Sequence, residues 1–213
     1  MKRTTTIGMH EVVAACLLTA CSILPAAGEA AAQLPHLFMV LVDDLGYHNV
    51  GFHNPDQISP HINGLVKDGV LLEAHYTFQF CSPTRSAFLS GRLPIHVNME
   101  QPTQGQAPPG GIDLRMTLLP QVLKEANYST AMIGKGHIGA YSTANLPINR
   151  GFDRHLGFLG GGEDHMTQRA RGVADLWRDH TPAHGENGTK YSCDLYVFLF
   201  SLSFSIDSCS LFL

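Results

Sequence analysis

Three observations predict an α/β fold built on a doubly wound, mostly parallel sheet. The run Leu37 to Val42 is continuously apolar and ends in Asp43-Asp44-Leu45-Gly46, as a strand buried on both faces does where it opens into a loop. Ser59, Pro60 and Gly69 punctuate the next segment as N-cap, first helical residue and stop. Strand-like and helix-like runs then alternate along the chain, which is how βαβ units read. In such a sheet ligands bind beyond the carboxyl ends of the strands, where Asp43, Asp44 and Lys135 fall.

The elements follow in order. Lys2 and Arg3, the apolar stretch Val12 to Ala27 and the small residues Ala30-Ala31-Ala32 read as a cleaved secretory signal, residues 1–32. The stretch is short and broken by Pro25, so a membrane span is not favoured. Leu18-Thr19-Ala20-Cys21 also fits a lipoprotein cleavage box, which would anchor a bacterial chain at Cys21. After the strand at 37–42, "SPHINGLVKDG" predicts a short helix and "VLLEAHYT", residues 70–77, a second strand. Ser82 and Pro83 fit the N-cap and first position of another helix, with Cys81 just outside it and Ser90-Gly91-Arg92 closing it. Apolar residues at helical spacing predict a helix over 117–126; Asn127 then turns the chain into a third strand, "YSTAMIG". "LGGGED" lacks the Gly-Lys-Ser/Thr ending of a phosphate loop and reads as a turn.

A net charge of −4 over 213 residues offers no basic field, which argues against a nucleic-acid partner. Removing the signal leaves Cys81, Cys193 and Cys209, an odd count that is unusual in a secreted protein. Asn127-Tyr128-Ser129 and Asn187-Gly188-Thr189 are glycosylation sequons, consistent with a eukaryotic secretory route. Cys81 has the distinctive neighbourhood. It stands at a helix N-terminus, where free N–H groups favour an anion, and Arg85 one turn on brings a guanidinium fork suited to a tetrahedral oxyanion. A half-buried cysteine beside a solvated arginine is the competing structural reading.

The run Cys81, Pro83, Thr84, Arg85, then Leu89, Ser90, Gly91 and Arg92, resembles the signature of the type I sulfatases. The resemblance implies an alkaline phosphatase/sulfatase-type sheet and oxidation of Cys81 to formylglycine by a formylglycine-generating enzyme. The hydrated aldehyde would then be the nucleophile that attacks sulfate. Asp43 and Asp44 look like the family's first metal-binding pair, which with the modified residue 81 would hold a divalent cation, calcium in preference to magnesium. "GKGHIG" resembles the family's Gly-Lys-Trp-His-Leu-Gly, so Lys135 would neutralise sulfate charge and His137 would contact the nucleophile. Gly136 departs from the pattern by standing where the tryptophan is usual.

Later stretches look most like the arylsulfatase B group, which implies a sulfated small molecule or glycosaminoglycan as substrate and a lysosomal or extracellular site of action. The resemblance covers residues 34–196, the amino-terminal part of a catalytic domain, so the sheet is expected to be incomplete on its C-terminal side. The family's Asp-Asn metal pair, second lysine and further histidine have no counterparts, and His165, His180 and His184 read as loop histidines. The tail 197–213 is hydrophobic, without glycine, proline or basic residues, and contains Asp207; it reads as missed splicing or a shifted frame rather than an anchor. It is expected to add an aggregation-prone segment to an uncovered edge. Two other readings stay open: a truncated, catalytically inactive sulfatase-like product, and a phosphoryl-transfer relative, against which Cys81 argues.

Overall fold

The computed structural model describes residues 34–97, 111–183 and 190–196, together with the backbone of 210–212. The signal-like segment, Cys21, Asn187 and the tail residues 197–209 lie outside the described residues. The chain divides into two units, Met1–Leu34 and Pro35–Leu213, and every described element lies in the second.

Its framework is a six-stranded sheet. The parallel part holds β1 (Leu37–Phe38), β2 (Ser129–Ile133), β3 (Arg154–Phe158) and β8 (Ser210–Phe212), and an antiparallel pair, β6 (Leu176–Arg178) and β7 (Thr181–Pro182), extends it beyond β3. β4 (Arg169–Ala170) and β5 (Val173–Ala174) form a separate hairpin. The helices that frame the site are α1 (Pro60–Asp68), α2 (Cys81–Ser90) and α3 (Leu119–Glu125), and residues 192–196 form a further helical turn.

Local signals place the helices closely. α1 starts at Pro60 and stops before Gly69, although the Ser59 hydroxyl does not cap it: Oγ accepts from Gly51 N–H at 2.7 Å and donates to Asn63 Oδ1 at 2.9 Å. α2 begins two residues earlier than the serine-proline signal suggests. Phe80 is its N-cap and accepts the Thr84 N–H at 3.1 Å, so Cys81 is the first helical residue. Pro83 is tolerated there because the first turn leaves its amides without helical acceptors. Gly91 closes the helix in the left-handed region at φ 64°, returning its N–H to the Ala87 carbonyl. Asn127 takes a left-handed turn at φ 62° directly before β2.

Strand pairing differs more. Residues 70–77 form no strand; Val70 and Tyr76 are each 86% exposed, and an apolar run makes a strand only where a neighbour accepts its hydrogen bonds. β1 is confined to Leu37 and Phe38, the two residues that β8 pairs with. The tail strand is not at an edge: β8 lies between β1 and β2, in register with Leu37 on one side and with Ser129 to Ala131 on the other.

Leu89 of α2, Met132 of β2, and Val97, Ile112, Leu118, Ile138 and Phe152 make the larger core; Leu156, Leu176 and Leu195 make a smaller one. At the exit of β2 the chain presses on β3. A Cβ at Gly157 would stand 1.8 Å from the Gly134 carbonyl oxygen, so only glycine lets β2 deliver Lys135 where it does.

His155 on β3 is 2% exposed, and neither ring nitrogen has a hydrogen-bond partner among the described residues. Burial pushes it down from 6.5 to about 4, against the pull of Asp179. Below the ordinary histidine value the unfolded chain binds this proton and the native chain does not. Stability is therefore expected to fall as pH drops from 6.5 toward about 4, by on the order of 3 kcal/mol over the window. Urea midpoints at several pH values in His155→Leu should lack this acid slope; an unchanged slope would assign it to other groups.

Candidate active site

The loop after β1 and the loop after β2 bring together residues far apart in sequence. Lys135 Nζ donates to Asp43 Oδ2 at 2.6 Å, and Arg85 Nη2 stands 3.7 Å from Asp43 Oδ1. Arg85 also donates through Nη1 to the Lys135 carbonyl at 2.8 Å, tying α2 to the exit of β2. Asp43, Arg85 and Lys135 thus form one cluster. Lys135 and Arg85 have side chains 10% exposed, against 40% for Asp43.

Partial burial works against the charge of Asp43, but the hydrogen bond and attraction from Lys135, with the attraction of Arg85, hold its carboxyl below the usual value. Burial lowers Arg85 from the ordinary guanidinium value, and Asp43 and Cys81 pull it back. Cys81 is a half-buried free thiol one helical turn before Arg85, on the same face of α2. Its place at the first helical position puts it beside the free N–H groups of that turn.

The remaining residues of interest stand differently. Asp44 is exposed, adopts φ 52°, and forms no ion pair with Lys135 or Arg85. His137 is 6% exposed and left-handed at φ 50°, so the chain turns out of the extended conformation there. Its N–H binds the Leu159 carbonyl at 3.1 Å, and its ring lies against Gly161, where a Cβ would be 2.7 Å from Cε1. At Gly136 a Cβ would come within 3.3 Å of the Phe158 carbonyl oxygen, a shift of a few tenths of an ångström from ordinary contact. Asn127 is exposed on its turn.

A cavity of about 510 Å³ opens onto the cluster. Asp43, Arg85 and Lys135 line it together with apolar walls that include Phe88, Met132 and Phe158. His165, Cys193 and Tyr196 line it too. The sequence carries no signal for these three, because they reach the cavity only through the packing of residues 190–196 against the loop after β3.

A divalent cation is not accommodated by the residues as they are arranged. Both Asp43 oxygens are directed at cationic side chains, and no group of three or more His, Cys, Asp or Glu able to hold a metal occurs among the described residues. A hard cation takes six or more oxygen donors. What the cluster can do unaided is hold an anion: an ammonium with donors to spare, a guanidinium, and a helix N-terminus surround one carboxylate.

A family model described as Sulfatase matches residues 35–177. The chain is 36% identical over 178 residues to arylsulfatase J of Mus musculus, covering 81% of this chain and 30% of that protein. It is 32% identical over 169 residues to N-acetylgalactosamine-6-sulfatase of Canis lupus familiaris, covering 74% of this chain and 32% of that one. Among solved structures it resembles Ps i-CgsB, determined in complex with k-i-k-neocarrahexaose, with a TM-score of 0.68 at 25% identity over 84% of this chain and 44% of that chain. The chain therefore spans about a third of the length of these curated relatives.

Proposed function

Since this chain belongs to the sulfatase family, we propose that it carries the nucleophile and charge-neutralising part of a sulfuric ester hydrolase site. The observation that carries the reading is the convergence of Asp43, Arg85 and Lys135 one helical turn from Cys81. In this proposal Cys81 is converted to formylglycine by the formylglycine-generating enzyme, and a hydroxyl of the hydrated aldehyde attacks sulfur as the alcohol leaves. Lys135 and Arg85 meet the sulfate charge, and Asp43 holds both cations in place. His137, by the resemblance of "GKGHIG", contacts the nucleophile in this proposal. The family's calcium, with Asp43 and Asp44 as ligands, belongs to a donor set larger than the described residues supply.

The substrate in this reading is a sulfated small molecule or glycan. The name N-acetylgalactosamine-6-sulfatase and the neocarrahexaose in the structural relative support a sugar sulfate. A lysosomal or extracellular location, with glycosylation at exposed Asn127 and at Asn187, completes the proposal. No described helix is long and apolar enough to cross a membrane. One observation favours a second reading, a catalytically inactive sulfatase-like chain: both Asp43 oxygens are already directed at Lys135 and Arg85.

The test is the mass of the peptide spanning Cys81 after secretion of residues 1–213 from cells carrying the modifying enzyme. A fraction of the peptide should lack the thiol and carry an aldehyde. Uniform alkylation of Cys81 would overturn the formylglycine assignment.

A further inference from the structure

The cavity has a second polar end that the sulfate chemistry leaves unused. Glu163 lies behind it with a side chain 0% exposed. Its Oε1 accepts from the Ser192 hydroxyl at 2.7 Å and the Tyr196 hydroxyl at 3.3 Å, and stands 3.6 Å from His165 Nδ1. Its Oε2 is buried with no hydrogen-bond partner. Burial raises the carboxyl above its usual value, against Ser192, Tyr196 and His165, while Asp175 adds repulsion. A buried carboxyl with one oxygen left unpaired is costly to keep ionised.

What it faces is His165. The ring is edge-on to Phe158 at 5.9 Å and tilted against Tyr191 at 5.2 Å, and the His165 carbonyl accepts the Ser192 N–H at 3.0 Å. Backbone and ring are therefore both held. Nδ1 is buried on the Glu163 side, so the exposed third of the side chain is the rest of the ring, and His165 lines the cavity that also holds Lys135 and Arg85. Nδ1 stands at ion-pair and not hydrogen-bond distance from Glu163; the neutral tautomer with its proton on Nδ1, toward the carboxylate, leaves Nε2 as an acceptor on the cavity side.

We propose that His165, oriented by Glu163, is a specificity-determining residue that accepts a hydrogen bond from a hydroxyl on the ring of a sulfate ester whose sulfate sits at Lys135 and Arg85. The ring itself lies along the apolar walls, and the hydroxyl separates preferred esters from those that lack it. A site built to pair a hydroxyl rejects the analogue without one, because its own polar group is then left unpaired.

The inference rests on the sulfate reading of the Lys135–Arg85 cluster, and the experiment separates the two. Binding of inorganic sulfate, 4-nitrophenyl sulfate and its hydroxylated analogue 4-nitrocatechol sulfate is measured on residues 1–213, with Lys135→Ala, His165→Ala and His165→Gln variants. The native chain should bind the catechol ester about tenfold more tightly than the phenyl ester, the magnitude of one hydrogen bond. His165→Ala should bind the two esters equally and leave inorganic sulfate unchanged; His165→Gln, which keeps an acceptor, should restore part of the preference. If His165→Ala does not fold, the glutamine variant carries the comparison, and a full loss of preference in it overturns the inference. Equal weakening of all three ligands by His165→Ala would make the residue merely structural and overturn the proposal alone. No sulfate binding, or sulfate binding untouched by Lys135→Ala, would overturn the sulfate reading and this inference with it.

Discussion

Residues 1–213 with Cys81 converted are expected to hydrolyse 4-nitrocatechol sulfate at least about 10³-fold more slowly than a complete sulfatase, even with added calcium, the cost of losing one major charge-stabilising group or more. The reason lies in the donor count. Cleaving the ester builds charge on sulfate oxygens and on the leaving oxygen, and the described residues offer two cations, Lys135 and Arg85, both already turned toward Asp43. No cluster of three acidic, histidine or cysteine side chains is available among them to seat a metal. Water can complete a coordination shell but supplies neither charge nor fixed geometry. Binding and turnover should therefore part: sulfate held, chemistry slow. Turnover equal to that of a complete sulfatase, lost in Cys81→Ala, would mean that Asp43, Cys81, Arg85 and Lys135 suffice.

Arg85→Met should destabilise the fold by about 2 kcal/mol or more, chiefly through the buried acceptor it leaves unpaired. Arg85 is 8% exposed, and its hydrogen bond to the Lys135 carbonyl crosses from α2 to the exit of β2. Methionine fills much of the volume but leaves that carbonyl unsatisfied and the two loops untied. The ion pair with Asp43 contributes less to the total, because the carboxylate is 40% exposed and screened by solvent. Arg85→Lys should rescue little, since an ammonium cannot reach two acceptors with a planar fork. Urea unfolding of both variants checks this. A loss below about 0.5 kcal/mol, the range of ordinary surface substitutions, would sink the claim that Arg85 joins these elements.

Some of the site can be seen along the line of the chain, and some only across it. Cys81 and Arg85 share one turn of α2, so four residues of sequence suffice to pair them. Lys135 and Asp43 are 92 residues apart, and their 2.6 Å contact exists because β1 and β2 lie in one sheet with β8 between them and end on the same side. The resemblance in "GKGHIG" names His137 with Lys135; the left-handed turn at His137 and the packing of its ring beside Gly161 are visible only in the fold. His165 carries no motif at all. It acquires a role only where the buried Glu163 and residues 190–196 close the cavity around it.

By itself the sequence determined the α/β class, the bounds of α1 within a residue, the turns at Gly91 and Asn127, and the grouping of Cys81 with Arg85. Each rests on caps, turns and spacings that a few neighbouring residues settle, so the information is local. Tertiary structure alone decided that the apolar run 70–77 forms no strand, that β8 sits inside the sheet rather than on an edge, and that Asp43 faces two cations. The physical reason is shared: a strand or an ion pair needs a partner, and which distant segment arrives as that partner is settled by the packing of the whole sheet, not by the residues that receive it.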